Sequence, residues 1–312
     1  MPLYTIGDVH LGKRFRNKDI PLDKRGIREE ILRIRFDQYV KLAIKAVKSG
    51  KYEAVVQLGD LFDSFAVSYE DLMFAYKTLL QFCNEKVSCY ILAGNHDYSK
   101  DNSRLSAFDV LSKMFELTKD NFVHFIKDKP KALYLEDYVH LLVPYSHDHD
   151  SKQDAKSIYP QTVIYGHFDE PFPDSWQTHY AHVYTGHIHK PEVRGNVTIV
   201  GSILPFTFAE DAHNSFMRTV TLDEYEKDLS LGLSNYRCYR IILRDGEELP
   251  EEKHCLQMSV YKEKEADEDS DLTVAFETFD LEQLMHEALD DLNLFEEIYK
   301  IYSEYKMSEV SE

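Results

Sequence analysis

Short apolar runs alternate with helical patterns along the first hundred residues, and each run ends in a polar motif. The runs span residues 3–6, 54–58 and 88–92. Between them, residues 28–49 and 70–86 carry apolar side chains at roughly helical spacing. Strands that alternate with helices are typical of an α/β fold with a parallel or mixed sheet, so we predict an α/β sandwich.

Four further strands are predicted in the middle of the chain, and three of them also lead into a glycine and a polar residue. They span residues 140–144, 162–165, 182–185 and 197–200. The motifs that follow are Gly166-His167, Gly186-His187-Ile188-His189 and Gly201-Ser202. Ligands of open α/β sheets bind at the carboxyl ends of strands, so we expect a functional site there.

The character of the sequence changes after about residue 206. Strand-like alternation predicts a smaller, β-rich domain, at residues 217–223, 236–243, 256–261 and 272–276. A charge run at residues 262–271 is typical of a solvated loop, and residues 280–305 carry a helical apolar stripe. We therefore expect three parts, at residues 1–206, 207–275 and 276–312.

The net charge of −19 is distributed unevenly. Residues from 207 onward hold 28 acidic and 10 basic side chains, whereas the first 50 residues hold 6 acidic and 12 basic ones. Because nucleic-acid binding depends on Lys and Arg, a DNA role would need the basic N-terminal surface or a basic partner. No apolar run is long enough to span a membrane and no signal-peptide pattern is visible, so we expect a cytoplasmic protein without a membrane partner.

Six short polar motifs carry the candidate chemistry. In chain order they are Asp8-Val9-His10, Gly59-Asp60-Leu61-Phe62-Asp63, Gly94-Asn95-His96-Asp97, Gly166-His167, Gly186-His187-Ile188-His189 and Gly201-Ser202. A single Asp-x-His is common, but this ordered set after successive strands predicts a metal site. Histidine and carboxylate together suit Mn, Fe or Zn better than Mg or Ca. Two ions ~3.5–4 Å apart can clamp a phosphoryl group, and Asp60 would bridge them.

The order D-x-H, G-D-x-x-D, G-N-H-D, G-H and G-H-x-H resembles that of the calcineurin-like metallophosphoesterases, over residues 1–206. Residues 8–12, 59–63, 186–189 and 201–206 further resemble the SbcD branch, the nuclease subunit of SbcC–SbcD DNA repair and recombination complexes. The resemblance implies a four-layer metallophosphoesterase α/β sandwich, a β-rich capping domain at 207–275 and C-terminal helices.

The same resemblance implies the residues of a two-metal site, with Mn²⁺ as the usual ion of this branch. One divalent ion would be held by Asp8, His10, Asp60 and His189, and the other by Asp60, Asn95, His167 and His187. His96 would stabilise the transition state and protonate the leaving oxygen, and Asp97 would orient His96. Asp63 stands where some relatives have His; it could orient a ligand or His96, or cap the following helix.

The implied activity is Mn-dependent hydrolysis of DNA, as a double-strand exonuclease, a single-strand endonuclease or both. An SbcC-like ATPase of the SMC family would be the partner, in a bacterial cytosol or a phage-infected cell. The chain would form a homodimer through helices near residues 68–86 and 103–117. The alternative enzyme is a calcineurin-like phosphoesterase acting on a small-molecule or protein phosphoester. An inactive scaffold is a third possibility, against which the intact ligand set argues.

Two further sets of residues are candidates for binding. Lys13, Arg14 and Arg16 follow the first motif and could contact DNA phosphates, or could belong to a solvated loop. The C-terminal stripe could dock onto the coiled coil of the ATPase, or could pack back on its own domain. Its apolar residues are Leu284, Leu289, Leu292, Phe295, Ile298 and Tyr302.

Overall fold

The structure is a computed structural model that describes residues 2–15, 20–99, 104–118, 121–135, 138–155, 161–244, 246–250 and 254–262. Residues 1–263 form one compact unit. Residues 264–312 form a second unit, which lies outside the described residues. The predicted helical segment at 276–312 and its docking stripe therefore stay predictions.

A parallel four-stranded sheet forms one layer of the fold. Its order is β1 (Tyr4–Ile6), β2 (Val55–Gln57), β3 (Cys89–Leu92) and β4 (Val123–Ile126). The helices between these strands are α1 (Ile27–Lys48), α2 (Tyr69–Glu85) and α3 (Ala107–Thr118). Every residue of β2 is buried, as expected for a parallel strand that is covered on both faces.

A mixed six-stranded sheet forms a second layer. In chain order its strands are β5 (Lys131–Leu135), β6 (Tyr138–Val143), β7 (Thr162–His167), β8 (His182–Gly186), β9 (Glu192–Arg194) and β10 (Val197–Ile199). The inner strands β6, β7, β8 and β10 are parallel, and β5 and β9 pair antiparallel at the two edges. A four-residue helix, α4 (Trp176–His179), precedes β8.

Apolar side chains from both sheets form the contact between these layers. Val56 and Leu92 of the first sheet lie in one buried cluster with Leu142, Val163 and Tyr165 of the second. A larger cluster, between the first sheet and its helices, includes the fully buried rings of Phe36, Phe82 and Phe108. Burying a side chain of this size contributes roughly 1.5–3 kcal/mol. The predicted α/β sandwich is confirmed.

A three-stranded parallel sheet follows, from β11 (Met217–Thr221), β12 (Cys238–Leu243) and β13 (Gln257–Lys262). The strands predicted at 217–223, 236–243 and 256–261 are confirmed; the one at 272–276 lies outside the described residues. The structure adds a helix that the alternating pattern concealed, α5 (Leu222–Ser230). A capping box between Thr221 and Glu224 begins this helix.

The described part of residues 207–275 shares a core with the first sheet and its helices. Phe216, Met217, Cys238 and Leu256 belong to the same apolar cluster as the helices of the first sheet. The predicted boundary at 206 therefore stays a prediction. Among the described residues, no helix is both long and apolar enough to cross a bilayer.

Candidate metal centre

The seven predicted ligands converge at the carboxyl ends of strands from both large sheets. Asp8 and His10 follow β1, Asp60 follows β2, and Asn95 follows β3. His167 ends β7, and two more histidines follow β8. We call these seven residues the histidine–carboxylate cluster: Asp8, His10, Asp60, Asn95, His167, His187 and His189.

Three residues of the cluster have backbone conformations that side-chain-bearing residues rarely adopt. The φ angles of His10, Asp60 and His187 are 53°, 50° and 75°. Such left-handed conformations cost free energy and concentrate at functional sites. They turn each side chain inward directly after its strand ends. Gly94 lies so close to Asp60 that a Cβ would collide with the backbone nitrogen and the carboxylate of Asp60.

The first group of donors comprises Asp8, His10 and His189, whose candidate ligand atoms lie within 4.8 Å of one another. The Nε2 atoms of the two histidines are 3.1 Å apart. His189 Nε2 is 3.8 Å from Asp8 Oδ2. These distances bring two imidazole nitrogens and a carboxylate oxygen to a common point.

The second group comprises Asp60, His167 and His187, again with candidate ligand atoms within 4.8 Å. Asn95 joins it, since its Oδ1 lies 2.9 Å from His167 Nε2 and 3.1 Å from His187 Nδ1. Asp60 faces both groups, because its Oδ2 is 3.5 Å from the Nε2 atoms of both His10 and His167. This position suits the bridging role predicted for Asp60.

The donor set fits two divalent ions. Asp8 Oδ1 is buried, and among the described residues it has no hydrogen-bond partner, as expected of an oxygen reserved for a metal. Imidazole, carboxylate and amide donors in one cluster suit Mn, Fe or Zn. Asp8, His10, Asp60 and His189 would hold one ion, and Asp60, Asn95, His167 and His187 the other. These ligand roles, like the choice of Mn²⁺, stay predictions.

Burial and close contacts shift the pKa values of three residues of the cluster when no ion is bound. Burial raises the pKa of Asp8 to about 7. Burial also disfavours the charged form of Asp60, but the nearby His167 outweighs it and holds the pKa of Asp60 well below its usual range. Burial disfavours protonated His167, yet the charge of Asp60 prevails and raises the pKa of His167 to about 9. Ions that bind here would displace these protons.

Acceptors outside the cluster lie near the second ring nitrogen of three of its histidines. His167 Nδ1 lies 2.9 Å from the Leu58 carbonyl oxygen. His189 Nδ1 lies 3.5 Å from Glu210 Oε1, and His10 Nδ1 lies 3.2 Å from Asp63 Oδ1. Metal-binding histidines commonly present their second nitrogen to such partners.

Two contacts bear on the role of Asp63, which the sequence leaves open. Its carboxylate contacts His10, and its carbonyl oxygen lies 2.7 Å from His96 Nδ1. Ser68, not Asp63, caps α2. Asp63 thus contacts one predicted ligand and His96, and its orienting role stays a prediction. Glu210 was not predicted, because it lies in an irregular segment that carries none of the motifs.

His96 lies at the open edge of the cluster. Its side chain is exposed, and its ring is 4.9 Å from the ring of His10, edge to face. Its backbone N–H donates to Asp60 Oδ1 at 2.9 Å. A third group of possible ligands, His10, Asp60 and His96, also lies within 4.8 Å. The geometry is thus compatible with the predicted acid and also with a ligand.

The prediction that Asp97 orients His96 is corrected. Asp97 is fully buried in a 3₁₀ turn, and its carboxylate accepts from the backbone N–H groups of Leu61, Phe62 and Gly94 at 3.2, 3.0 and 2.9 Å. His96 Nδ1 contacts the Asp63 carbonyl oxygen instead of this carboxylate. Asp97 instead ties the loop after β2 to the loop after β3, which fixes Asp60 and Asn95.

Two of the three basic residues after the first motif form ion pairs with carboxylates. Lys13 Nζ is 3.1 Å from Asp63 Oδ1 and 4.7 Å from the centroid of the Phe206 ring. Arg14 pairs with Asp71 at 2.9 Å. Arg16 lies outside the described residues. DNA contact by these side chains stays a prediction.

Comparison with known proteins agrees with this site. The calcineurin-like phosphoesterase family matches residues 1–191. The protein therefore belongs to the calcineurin-like phosphoesterase family, whose members hydrolyse phosphoesters with bound metal ions. The match ends before residues 201–206, which carry part of the SbcD resemblance, so that resemblance stays a prediction. No curated protein matches the chain.

Proposed function

We propose that this phosphoesterase is a DNA nuclease that works with two Mn²⁺ ions as an SbcD-type subunit. Phe206 is the observation that carries the proposal. Its ring lies edge to face against His10 and His189, at 5.2 and 5.1 Å, with Lys13 over its face. An aromatic ring and a cation beside a phosphoryl-transfer site suit a polynucleotide, whose bases stack and whose phosphates attract cations.

The residues around the cluster have separable tasks in this reaction. Bound ions would supply charge stabilisation to the phosphoryl group. Exposed His96 would hold a proton for the leaving oxygen, with its Nδ1 fixed by the Asp63 carbonyl. Asp63 and Glu210 would keep the ligand rings of His10 and His189 in place.

Cleavage of end-labelled linear duplex DNA in Mn²⁺ tests the proposal. We expect wild-type protein to cut DNA and His96→Ala to lose that activity, while the exposed His213→Ala control stays active. The phosphodiester bis-p-nitrophenyl phosphate serves as a parallel substrate. Hydrolysis of this ester without DNA cleavage, even with an SbcC-like ATPase present, would favour the small-molecule or protein phosphoester alternative.

The proposal also includes a homodimer of this chain and docking of an SbcC-like ATPase. Exposed apolar side chains on α2 and α3, among them Tyr69, Met73 and Leu117, support a homodimer through these helices. Light scattering on Leu117→Glu, compared with wild type, tests this: the variant should be monomeric. Docking of the ATPase is proposed for residues 276–312, and co-purification with and without that segment tests it.

A further inference from the structure

A second cavity shares Phe206 with the histidine–carboxylate cluster. Its volume is about 420 Å³, and it is lined by three arginines, three phenylalanines and several smaller polar side chains. We call it the arginine–phenylalanine pocket, after Arg14, Phe15, Arg28, Phe206, Phe208 and Arg240. Because Phe206 also contacts His10 and His189, the pocket adjoins the predicted metal site.

The small parallel sheet forms one wall of the pocket, because its side chains alternate between the pocket and the core. Arg240 of β12 and Ser259 of β13 are neighbours in register and both line the cavity, together with Gln257. The next residues along β12, Tyr239 and Ile241, lie in the apolar cluster that includes Tyr225 of α5. One face of the sheet is thus its core, and the other presents polar groups to the pocket.

Arg28 is a buried cation in the pocket wall. Its side chain belongs to α1 and is only 3% exposed. It donates to neutral acceptors, Gln257 Oε1 at 2.8 Å and the Phe206 carbonyl oxygen at 3.3 Å, and lies 3.8 Å from the Phe15 ring centroid. Its Nε is buried and has no hydrogen-bond partner among the described residues. Buried arginines are normally paired with an anion.

Two more observations in the same pocket indicate an anionic ligand. Ser259 Oγ is buried and likewise has no partner within the described part of the chain. Arg240 is exposed at the cavity, with its guanidinium 4.7 Å from the centroid of the Phe208 ring. Arg14 differs, because Asp71 already neutralises it. Arg240 is therefore the exposed cation that the pocket offers to a ligand, and Arg28 adds a buried positive charge with one unused donor, Nε.

We propose that the arginine–phenylalanine pocket binds a nucleotide unit of the substrate strand beside the scissile phosphate; this rests on the proposed nuclease function. A phosphate of that strand would be bound by Arg28, Arg240 and Ser259 through charge-assisted hydrogen bonds. The base would stack among the phenylalanine rings and the guanidinium plane of Arg240. A lone phosphate would need neither the aromatic faces nor a cavity of about 420 Å³.

Calorimetric titration of the full-length chain with thymidine 5′-monophosphate tests the pocket, with and without Mn²⁺. Deoxyribose 5-phosphate and inorganic phosphate are the comparison ligands. We expect Arg240→Gln to weaken nucleotide binding about tenfold in both conditions, and Ser259→Ala to weaken it less. Arg244→Gln, an exposed arginine just beyond the same strand, is the matched control and should bind like wild type.

Catalytic measurements separate the pocket from the metal centre. Arg240→Gln should raise KM for DNA, whereas Arg244→Gln, which does not line the pocket, should leave both KM for DNA and hydrolysis of bis-p-nitrophenyl phosphate unchanged. Nucleotide binding that is equal in wild type, Arg240→Gln and Ser259→Ala would overturn the assignment, as would inorganic phosphate that binds as tightly as the nucleotide. Selective loss of nucleotide binding in Arg240→Gln, in a protein that cuts no DNA, would support the pocket while the nuclease proposal fails.

Discussion

The histidine–carboxylate cluster and the arginine–phenylalanine pocket meet at Phe206 but differ in the charge of their polar side chains. In the cluster, the buried carboxylate of Asp60 lies 3.5 Å from nitrogens of two histidines, so groups that carry charges of opposite sign are close together. In the pocket, the guanidinium of buried Arg28 has only neutral hydrogen-bond partners among the described residues. The cluster is thus suited to binding cations, and the pocket to binding an anion.

This difference gives the two regions complementary tasks on one substrate. A nucleic-acid strand has a phosphate at every nucleotide, so it can place one phosphate at bound metal ions and a neighbouring one at arginines. The cluster would carry the chemistry, whereas the pocket would carry only binding. Changes in the cluster should therefore abolish turnover, and changes in the pocket should alter KM.

Substitution of Asp60 should have the largest effect. It should abolish metal binding and turnover but leave nucleotide binding by the pocket intact. Asp60→Asn removes a carboxylate oxygen that faces both donor groups, so we expect loss of both ions and a fall in phosphoester hydrolysis of about a thousandfold or more. Metal content per chain and kcat measure the two effects. Nucleotide binding to the pocket should persist.

The exposed Asp174→Asn is the matched control for this change and should behave like wild type. Circular dichroism checks that Asp60→Asn is folded, because Asp60 also accepts the His96 N–H. A folded Asp60→Asn protein that keeps two ions and full activity would contradict the bridging role.

His96→Ala should reduce kcat by about a hundredfold or more without loss of metal. The expected cause is the missing general acid, whose contribution is typically 10²–10⁴-fold. The structure also places His96 in a possible ligand group with His10 and Asp60, so metal content must be measured beside kcat. Loss of an ion in His96→Ala would instead make His96 a ligand.

Mn²⁺ affinity should fall as the pH is lowered from about 8 to about 6. Burial raises the pKa of Asp8 to about 7, and Asp60 outweighs burial to raise the pKa of His167 to about 9. Both groups hold protons in the metal-free protein at low pH and must release them to bind an ion. We expect about a tenfold or larger loss of affinity per pH unit.

Titration calorimetry in buffers of different ionisation enthalpy measures both the affinity and the protons released. An affinity that stays constant over this range, or rises toward low pH, would contradict the predicted proton displacement. Binding of nucleotide by the pocket arginines gives the contrast, because arginine remains charged throughout and any weakening as the pH falls to about 6 comes from protonation of the nucleotide's own phosphate.

Asp63→Asn and Glu210→Gln should have the smallest effects on the cluster. Each carboxylate holds one histidine from outside, and loss of such a partner typically costs 10–100-fold in metal affinity or activity. We expect Asp63→Asn to be the more damaging, since the Asp63 carboxylate lies 3.2 Å from its histidine and the Glu210 carboxylate 3.5 Å from its own. Wild-type metal affinity in both variants would show that the ligand rings need no such support.

The cluster could be predicted from the sequence because each of its residues lies close, along the chain, to the strand that positions it. Asp8, Asp60 and Asn95 each lie two or three residues past a short apolar strand, and parallel strands bring their carboxyl ends to one edge. The apolar periodicity likewise predicted α1 and α2 to within a residue of their bounds. These features depend on neighbours in the chain.

The pocket could not be predicted, because its residues come from separate parts of the chain and share no motif. Arg28, Phe206, Arg240 and Ser259 meet only through packing of the small sheet against the N-terminal segments. Asp97 was assigned wrongly for a related reason. Adjacency to His96 does not reveal that the 3₁₀ turn Asn95–Asp97 points its carboxylate at backbone amides instead.

Asp60 is proposed to be shared by a pair of metal sites, and the number of ions that the wild-type chain binds tests this arrangement. We would load the full-length protein with Mn²⁺, measure metal per chain, and record the electron paramagnetic resonance spectrum. The account predicts two ions with the magnetic coupling of a bridged pair. A single isolated ion, or two uncoupled ions, would contradict it.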